Sequence, residues 1–349
     1  MAEKYVFTGE TKNVGLITNP HTVRRIKRCS DGELGGWIED ELSLAQEGNC
    51  WVADEAVVYG GSSVQGNAVV SGNAIICNSS FVKDEALVTG EALVDNGVIC
   101  GQAKIFDSVA IHGDDMYGPT VIKDNASVYG KARISDGSYI CGDARISGKS
   151  CVWGSRVDGR ARVYGNSNVG SSSTVTGSAT VCGDCSVLGS RIAGNAKVYG
   201  HCIIDFSWVV DNACVHGCAR IEERSRVYDN ADVFGKVTIG NSEVYGVAKI
   251  DGSEWSELHN GRVAGNFWDH PQLIRSDAEK IVPETTSLID QKFDQLRLQA
   301  YMESGTYPQK PSKETLDMLF PSENDDSFLV YGTGDEPPEI SDDPDDPKL

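Results

Sequence analysis

The group of residues best suited to catalysis in this chain is one histidine followed closely by two carboxylates. His112 precedes a glycine, and Asp114 and Asp115 come next. An imidazole titrates near neutral pH and can accept a proton, and a nearby carboxylate can orient the ring. The group therefore suits general acid–base catalysis. An exposed histidine beside a surface irregularity is the alternative interpretation, and the sequence leaves both open.

Cysteine pairs offer a second kind of chemistry, but their spacing does not favour a metal site. Cys182 and Cys185 have Cys-x-x-Cys spacing, yet no second pair lies at zinc-finger distance. Cys214 and Cys218 lack histidine partners at a convincing spacing, so no metal site is predicted. The eleven cysteines do not resemble a disulfide framework, which favours a reducing cytoplasm.

Charge and composition narrow the classes of partner. The 349 residues carry a formal net charge of −20 at pH 7, which argues against binding to a nucleic-acid backbone. No apolar run approaches membrane-spanning length and the N-terminal residues lack a signal-peptide core, so we expect a cytoplasmic protein without a membrane partner. The basic run 24–28 could grip phosphates, although the charged face of an exposed strand is the simpler interpretation.

The histidine with its two carboxylates and the cysteine pairs lie in a six-residue repeat that runs from Trp51 to about Ser253. A small residue is followed two places later by Val or Ile, and two places after that usually by Gly, Asp or Asn. The period is too short for a helical repeat and suits a short strand followed by a corner. The sequence therefore predicts an all-β solenoid in which one small and one branched side chain per repeat point inward.

Shortened repeats indicate how many faces each coil has. If each coil has three faces and the count starts at Val128, every interval of five residues falls at the same corner. These intervals are Tyr117 to Ile122, Val152 to Val157, Val187 to Ile192, Ile204 to Val209 and Ile239 to Val244. A sixth fits if Cys100 points inward, and the count also places Asp115 and Tyr117 inward. The prediction is a triangular prism of roughly eleven coils, about 50 Å long at the spacing of β-strands.

The repeat resembles that of a known superfamily. The run 192–198, Ile-Ala-Gly-Asn-Ala-Lys-Val, is similar to the hexapeptide repeat of left-handed parallel β-helix proteins. The segments 35–38 and 44–52 resemble the entry segment of the uncharacterised YdcK-like hexapeptide-repeat proteins of bacteria and phages. Those proteins are named acetyltransferases mainly because of their fold, which does not by itself imply function.

The resemblance implies a left-handed coil and a homotrimer. In hexapeptide acyltransferases a histidine at the trimer interface acts as general base, and coenzyme A lies along the groove between neighbouring prisms. Carried onto this sequence, the base would be His112 and the cofactor would be coenzyme A or acetyl-CoA. Asp114 or Asp115 would orient the imidazole.

An aromatic stripe is the predicted contact between prisms. Tyr129, Tyr164 and Tyr199 recur 35 residues apart, and Phe234 continues the same corner column. Aromatic side chains supply a large apolar area at a low entropy cost, so a lengthwise stripe suits an interface. Local packing of large corner residues is the alternative. The count of faces places His112 in this column as well.

The chain divides into four predicted regions. Residues 1–50 form a small β-rich cap, with strands Tyr5–Thr8 and Val23–Arg28 followed by a Gly-Gly-Trp turn. Residues 51–253 form the solenoid. Residues 254–321 close its far end and carry short helices at 287–304 and 313–320, and residues 322–349 form an acidic tail.

Two functions of different classes follow. The favoured one is a non-catalytic, trimeric scaffold or interaction protein that presents its cap or its C-terminal module to a protein partner. The alternative is a coenzyme A-dependent acyltransferase that acts on a hydroxyl or an amine, with His112 as base.

Overall fold

The computed structural model describes residues 3–253 and 257–264, and this part of the chain is an all-β parallel solenoid of twelve coils without a helix. Each coil contributes one short strand to each of three sheets, and every strand pairs in parallel with its neighbours above and below. The predicted fold class is confirmed. There is one coil more than expected because the solenoid continues beyond residue 253, through Glu257–His259 and Arg262–Ala264.

The chain passes through the three sheets in the same order in every coil. Sheet 1 contains Trp51–Val52, Val69–Val70, Leu87–Val88, Lys104–Ile105, Ser127–Val128, Arg145–Ile146, Arg162–Val163, Thr180–Val181, Lys197–Val198, Cys214–Val215, Asp232–Phe234 and Lys249–Asp251. Sheet 2 contains Val57–Val58, Ile75–Cys77, Leu93–Asp95, Ala110–His112, Arg133–Ser135, Cys151–Trp153, Asn168–Gly170, Ser186–Leu188, Ile203–Asp205, Arg220–Glu222, Thr238–Gly240 and Glu257–His259, together with the three strands of the cap. Sheet 3 contains Ser63–Val64, Phe81–Val82, Gly97–Ile99, Thr120–Ile122, Tyr139–Ile140, Arg156–Val157, Thr174–Val175, Arg191–Ile192, Trp208–Val209, Arg226–Val227, Glu243–Tyr245 and Arg262–Ala264.

The core is a stack of branched side chains, with one from each strand. Val128, Ile134 and Ile140 come from three successive strands and are fully buried. The small residue two places before each branched residue depends on the corner. It is almost always Ala between sheets 3 and 1, it is usually Ala, Ser or Cys between sheets 1 and 2, and it is usually Ser between sheets 2 and 3.

The serine column lies at the corner where the shortened repeats fall, and that common corner is confirmed. The hydroxyl of each serine accepts the backbone N–H of the residue one coil further on, at 2.9 to 3.3 Å. The accepting serines are Ser62, Ser80, Ser138, Ser155, Ser173, Ser190, Ser207, Ser225 and Ser242. Each hydroxyl therefore satisfies a buried donor that water does not reach.

One segment departs from the predicted count of faces. Residues 113–119 form a small hairpin, closed by hydrogen bonds between Asp114 and Gly118, that leaves the corner between Ile111 on sheet 2 and Ile122 on sheet 3. The inward placement of Tyr117 was wrong, because its side chain is 66% exposed. Asp115 is exposed as well, so its inward placement was also wrong.

The hairpin shifts the count by one face for every residue before it. Ile99, rather than Cys100, is the inward residue on sheet 3, and it is fully buried. His112 ends a strand of sheet 2, whereas Tyr129 follows a strand of sheet 1. The prediction that His112 shares the column of the aromatic stripe was therefore wrong.

The N-terminal cap extends sheet 2. Tyr5–Leu16 and Asn19–Arg28 pair as an antiparallel hairpin, and Leu34–Ile38 joins this hairpin to the first coil. The Gly-Gly-Trp segment lies inside the third of these strands, so its assignment to a turn was wrong. Its glycines are needed for close packing, since a Cβ on Gly36 would lie 2.5 Å from a backbone oxygen of the first coil.

The predicted helices at 287–304 and 313–320, most of the far-end closure and the acidic tail lie outside the described residues. Within the described ranges, no helix has the length and apolar character needed to cross a membrane. The left-handed sense of the coil stays a prediction, based on the resemblance of the repeat.

Candidate functional site

His112 ends its strand at the corner between sheets 2 and 3, directly before the protruding hairpin. Its side chain is 44% exposed, and its Nδ1 lies 3.4 Å from Oδ2 of Asp95, the residue beside it on the preceding coil. Asp95 in turn accepts a hydrogen bond of 2.7 Å from the amide of Asn78, one coil earlier. A polar ladder across three coils therefore holds the imidazole, and the ring edge away from Asp95 carries the second nitrogen.

The structure does not bring the predicted carboxylates onto this imidazole. Asp114 Oδ1 accepts the backbone N–H groups of Met116 at 2.6 Å and Tyr117 at 3.2 Å, so it stabilises its own hairpin. Asp115 is exposed on the same hairpin. The orienting carboxylate is Asp95, which stands 17 residues before His112. That spacing is one coil, and it is visible in the sequence because both residues precede the hairpin.

The pairing of a histidine with a carboxylate recurs throughout the solenoid and cap. The other such pairs are His21–Glu39 at 2.7 Å, His201–Asp184 at 3.2 Å, His216–Asp232 at 3.2 Å and His259–Glu223 at 3.6 Å. Every histidine in the described part of the chain therefore has a carboxylate neighbour. The pairing alone does not distinguish His112 as a base, and its position beside the hairpin is the feature that sets it apart.

The predicted stripe does share one corner, at the end of the strands of sheet 1: Tyr129, Tyr164 and Tyr199 directly follow a strand, and Phe234 is the last residue of one. Tyr129 is only 3% exposed within its own chain, whereas the other three side chains are partly exposed. Tyr199 stacks on His216, with ring centroids 4.7 Å apart. Local packing therefore accounts for part of the stripe, and its role as an interface stays a prediction.

A cluster that the sequence analysis missed lies beside the stripe. Cys214, His216 and Asp232 place one thiol, one imidazole and one carboxylate with their ligand atoms within 4.8 Å of one another. Burial raises the pKa of the Cys214 thiol to about 11, and the Asp232 carboxylate adds to this effect, while a hydrogen bond from Tyr199 opposes it. The sequence signal is a Cys-x-His pair on a strand with an Asp one coil later. Spacing along one segment of the chain does not reveal this group, because Asp232 comes from the next coil.

The basic run 24–28 is engaged by contacts within the cap and with the first coil. The Arg28 guanidinium lies over the ring of Trp51, 4.2 Å from its centroid, and also pairs with Asp31 at 3.0 Å. Arg25 pairs with Glu55 at 3.0 Å. These contacts favour the interpretation of the run as the charged face of a strand over its interpretation as a phosphate-binding site. A cleft of about 430 Å³ opens beside this run, lined in part by Arg28 and Trp51.

Comparison with known proteins supports the repeat and little beyond it. No family model matches the chain. The protein named "Uncharacterized acetyltransferase YdcK" from Escherichia coli (strain K12) is 39% identical over 64 residues. The match covers 18% of this chain and 19% of that protein, so the chain aligns with about a fifth of its relative. The similarity is compatible with a hexapeptide-repeat solenoid that is acetyltransferase-like in architecture.

Proposed function

We propose that this chain is a non-catalytic β-solenoid scaffold that assembles as a homotrimer and presents its N-terminal cap to a protein partner. The observation that carries the proposal is the tip of the cap hairpin, where Leu16 is 74% exposed and Ile17 is fully exposed. Exposure of adjacent large apolar side chains to water is unfavourable, and such pairs at a projecting turn are typical of binding surfaces. The C-terminal module, outside the described residues, is the other predicted contact region.

The solenoid suits a rigid spacer. Its three sheets are continuous over twelve coils, and the hydrogen bonds of each coil run to the next. Each described histidine lies beside a carboxylate from another part of the fold, as shown above. The first strand of the cap, Tyr5–Leu16, forms the edge of sheet 2 and has an irregular register between Phe7 and Thr11. Such irregularities limit uncontrolled strand pairing at a free edge.

The test combines assembly with contact mapping. Sedimentation velocity should give the mass of three chains at micromolar concentration. Chemical crosslinking through Lys12, followed by mass spectrometry in extracts of the source organism, should give one specific partner. Crosslinking should be lost in Leu16→Asp/Ile17→Asp. Leu42→Asp is the matched control, because Leu42 is an 85% exposed apolar residue elsewhere in the cap. A monomeric parent, or equal loss in the control, would contradict the proposal.

The second candidate is a coenzyme A-dependent acyltransferase, favoured by the hairpin beside His112 and by the acetyltransferase-like relative. A repeat that is regular elsewhere is interrupted next to a half-exposed imidazole that a carboxylate orients. His112 would act as general base on a hydroxyl or amine, and Asp95 would hold its ring. Acetyl-CoA would be the donor, lying between neighbouring prisms.

A thermal-shift assay with acetyl-CoA and desulfo-coenzyme A separates the two functions. A ligand that binds only the folded state raises the melting temperature, and the shift grows with the logarithm of the ligand concentration above its Kd. If the chain is an acyltransferase, acetyl-CoA stabilises it, and His112→Asn abolishes transfer while donor binding persists. His201→Asn is the matched control, since His201 also pairs with a carboxylate across coils but lies away from the hairpin. No stabilisation at millimolar acetyl-CoA would eliminate the enzymatic function.

A further inference from the structure

Three side chains of different chemistry converge on the outer surface of sheet 1. Cys214 begins the strand Cys214–Val215 and His216 directly follows it; both flank the fully buried Val215, so both lie on the outer side of the sheet. Asp232 lies beside Cys214 on the next coil, because the two residues are direct partners in the parallel register. The backbone therefore fixes the three residues as neighbours, whatever rotamers their side chains adopt.

The imidazole at the centre of this cluster is held from three sides. Tyr199 stacks on one face of His216 at 4.7 Å with an interplanar angle of 4°. Phe234 stacks on the other face at 5.2 Å with an angle of 11°. Nε2 of His216 lies 3.2 Å from Oδ1 of Asp232. The ring plane is thus set by packing, which lowers the entropy cost of using the ring as a ligand.

We propose that Cys214, His216 and Asp232 bind one borderline divalent cation, for which Zn²⁺ is the best chemical match. A thiolate, an imidazole and a carboxylate are the three side-chain ligand types that zinc takes in proteins. At zinc–ligand bond lengths of about 2.0 to 2.3 Å, tetrahedral ligand atoms lie about 3.3 to 3.8 Å apart. The ligand atoms here lie within 4.8 Å of one another, so rotation of the Cys214 and Asp232 side chains closes the site.

The surroundings of the site leave room for a fourth ligand. The side chains of His216 and Asp232 are 27% and 29% exposed, and Cys214 is partly exposed, so solvent reaches the cluster from one side. Three protein ligands and one open position characterise zinc sites that keep a water or an external ligand. The bound cation would also join two adjacent coils, because Asp232 belongs to the coil after that of Cys214.

Two features oppose metal binding: the ammonium group of Lys197 and the proton on the Cys214 thiol. Lys197 lies beside Cys214 on the preceding coil, and its ammonium group repels a metal ion. Its long side chain can turn into solvent when the site is filled. The Cys214 thiol must lose its proton, and burial holds its pKa near 11. Binding of the metal through the Cys214 thiolate should therefore release a proton.

The test uses the untagged full chain, first treated with a chelator and then dialysed. Isothermal titration with Zn²⁺ should give a 1:1 complex. Titration with Co²⁺ should give a sulfur-to-cobalt charge-transfer band, which reports a thiolate ligand directly. Cys214→Ser should lose this band, and Cys214→Ser, His216→Asn and Asp232→Asn should each weaken Zn²⁺ binding by about tenfold or more.

Two matched controls identify the site. Cys218→Ser removes an exposed thiol four residues away, and His201→Asn removes a histidine–carboxylate pair that has no place in the cluster. Both variants should bind Zn²⁺ as the parent does, and circular dichroism should show that all variants keep the fold. The inference is overturned if Cys214→Ser keeps the cobalt band, or if the parent binds no Zn²⁺ at a 1:1 ratio.

Discussion

Removal of one hydroxyl from the serine column tests whether this column stabilises the shortened corners. Ser173 is 1% exposed, and its Oγ accepts the N–H of Ser190 at 3.1 Å. The same hydroxyl donates to the carbonyl of Gly170 at 2.6 Å. In Ser173→Ala the N–H of Ser190 loses this acceptor, and Ser190 is only 3% exposed, so water cannot replace it.

The expected loss can be worked out from these contacts. A buried donor without an acceptor costs about 1 to 3 kcal/mol. The Gly170 carbonyl contributes little to the loss, because it still accepts the N–H of Gly189 at 3.2 Å. The alanine leaves only a small void, since alanine fills the equivalent position at another corner. We therefore expect the free energy of unfolding to fall by about 1 to 3 kcal/mol.

The assay must resolve local opening, because solenoids can unfold one part at a time. Hydrogen exchange with mass spectrometry on the peptide that contains Ser190 reports the affected amide, and urea unfolding reports the whole domain. Ser167→Ala is the matched control. Ser167 is equally buried, but its described bonds are both as donor, to the carbonyls of Tyr164 at 3.0 Å and Gly183 at 3.2 Å. If Ser173→Ala and Ser167→Ala protect the 190 amide equally and unfold at the same urea concentration, the reasoning fails.

Three further predictions address the core, a corner and the pH dependence. Ala161→Glu should cost several kcal/mol and abolish soluble folding, because Ala161 is fully buried and the new carboxylate would have no partner. Arg162→Glu, a change at the exposed neighbouring position, should leave the melting temperature nearly unchanged. Gly165→Ala should lower the free energy of unfolding by about 1 to 2 kcal/mol, since Gly165 has φ +79° and a Cβ there would lie 2.8 Å from the Gly183 oxygen. Gly154→Ala should lower the free energy of unfolding less, because the atom nearest to its Cβ would be 3.7 Å away. Burial raises the pKa of Tyr5 to about 12 and the pKa of Cys77 to about 11, so both groups ionise at lower pH in the unfolded chain than in the folded one. The melting temperature should therefore fall as the pH rises from about 9 to 11, and it should fall less steeply in Cys77→Ser. A melting temperature that does not change with pH would refute the assignment.

The architecture was predictable because small and branched side chains recur at fixed intervals at the inward positions of the repeat. Val152 and Val157 are both inward and fully buried, as the count of faces required, and their five-residue spacing identifies the corner correctly. The same count failed before Ile122, because Tyr117 has the size of a core residue and occurs at nearly the right interval. A hairpin and a face of the prism have similar lengths, so spacing alone could not distinguish them.

The sequence by itself determined the fold class, the three-sided section and the common corner, because a buried column tolerates only small and branched residues at set intervals. Only the tertiary structure decided which polar residues meet. His112 contacts Asp95 and not Asp114, and Asp232 joins Cys214 beside His216, since each of these contacts runs between coils. Lateral neighbours in a solenoid are one coil apart in the chain, and one unrecognised hairpin shifts the face that a count from Val128 assigns to every residue before it.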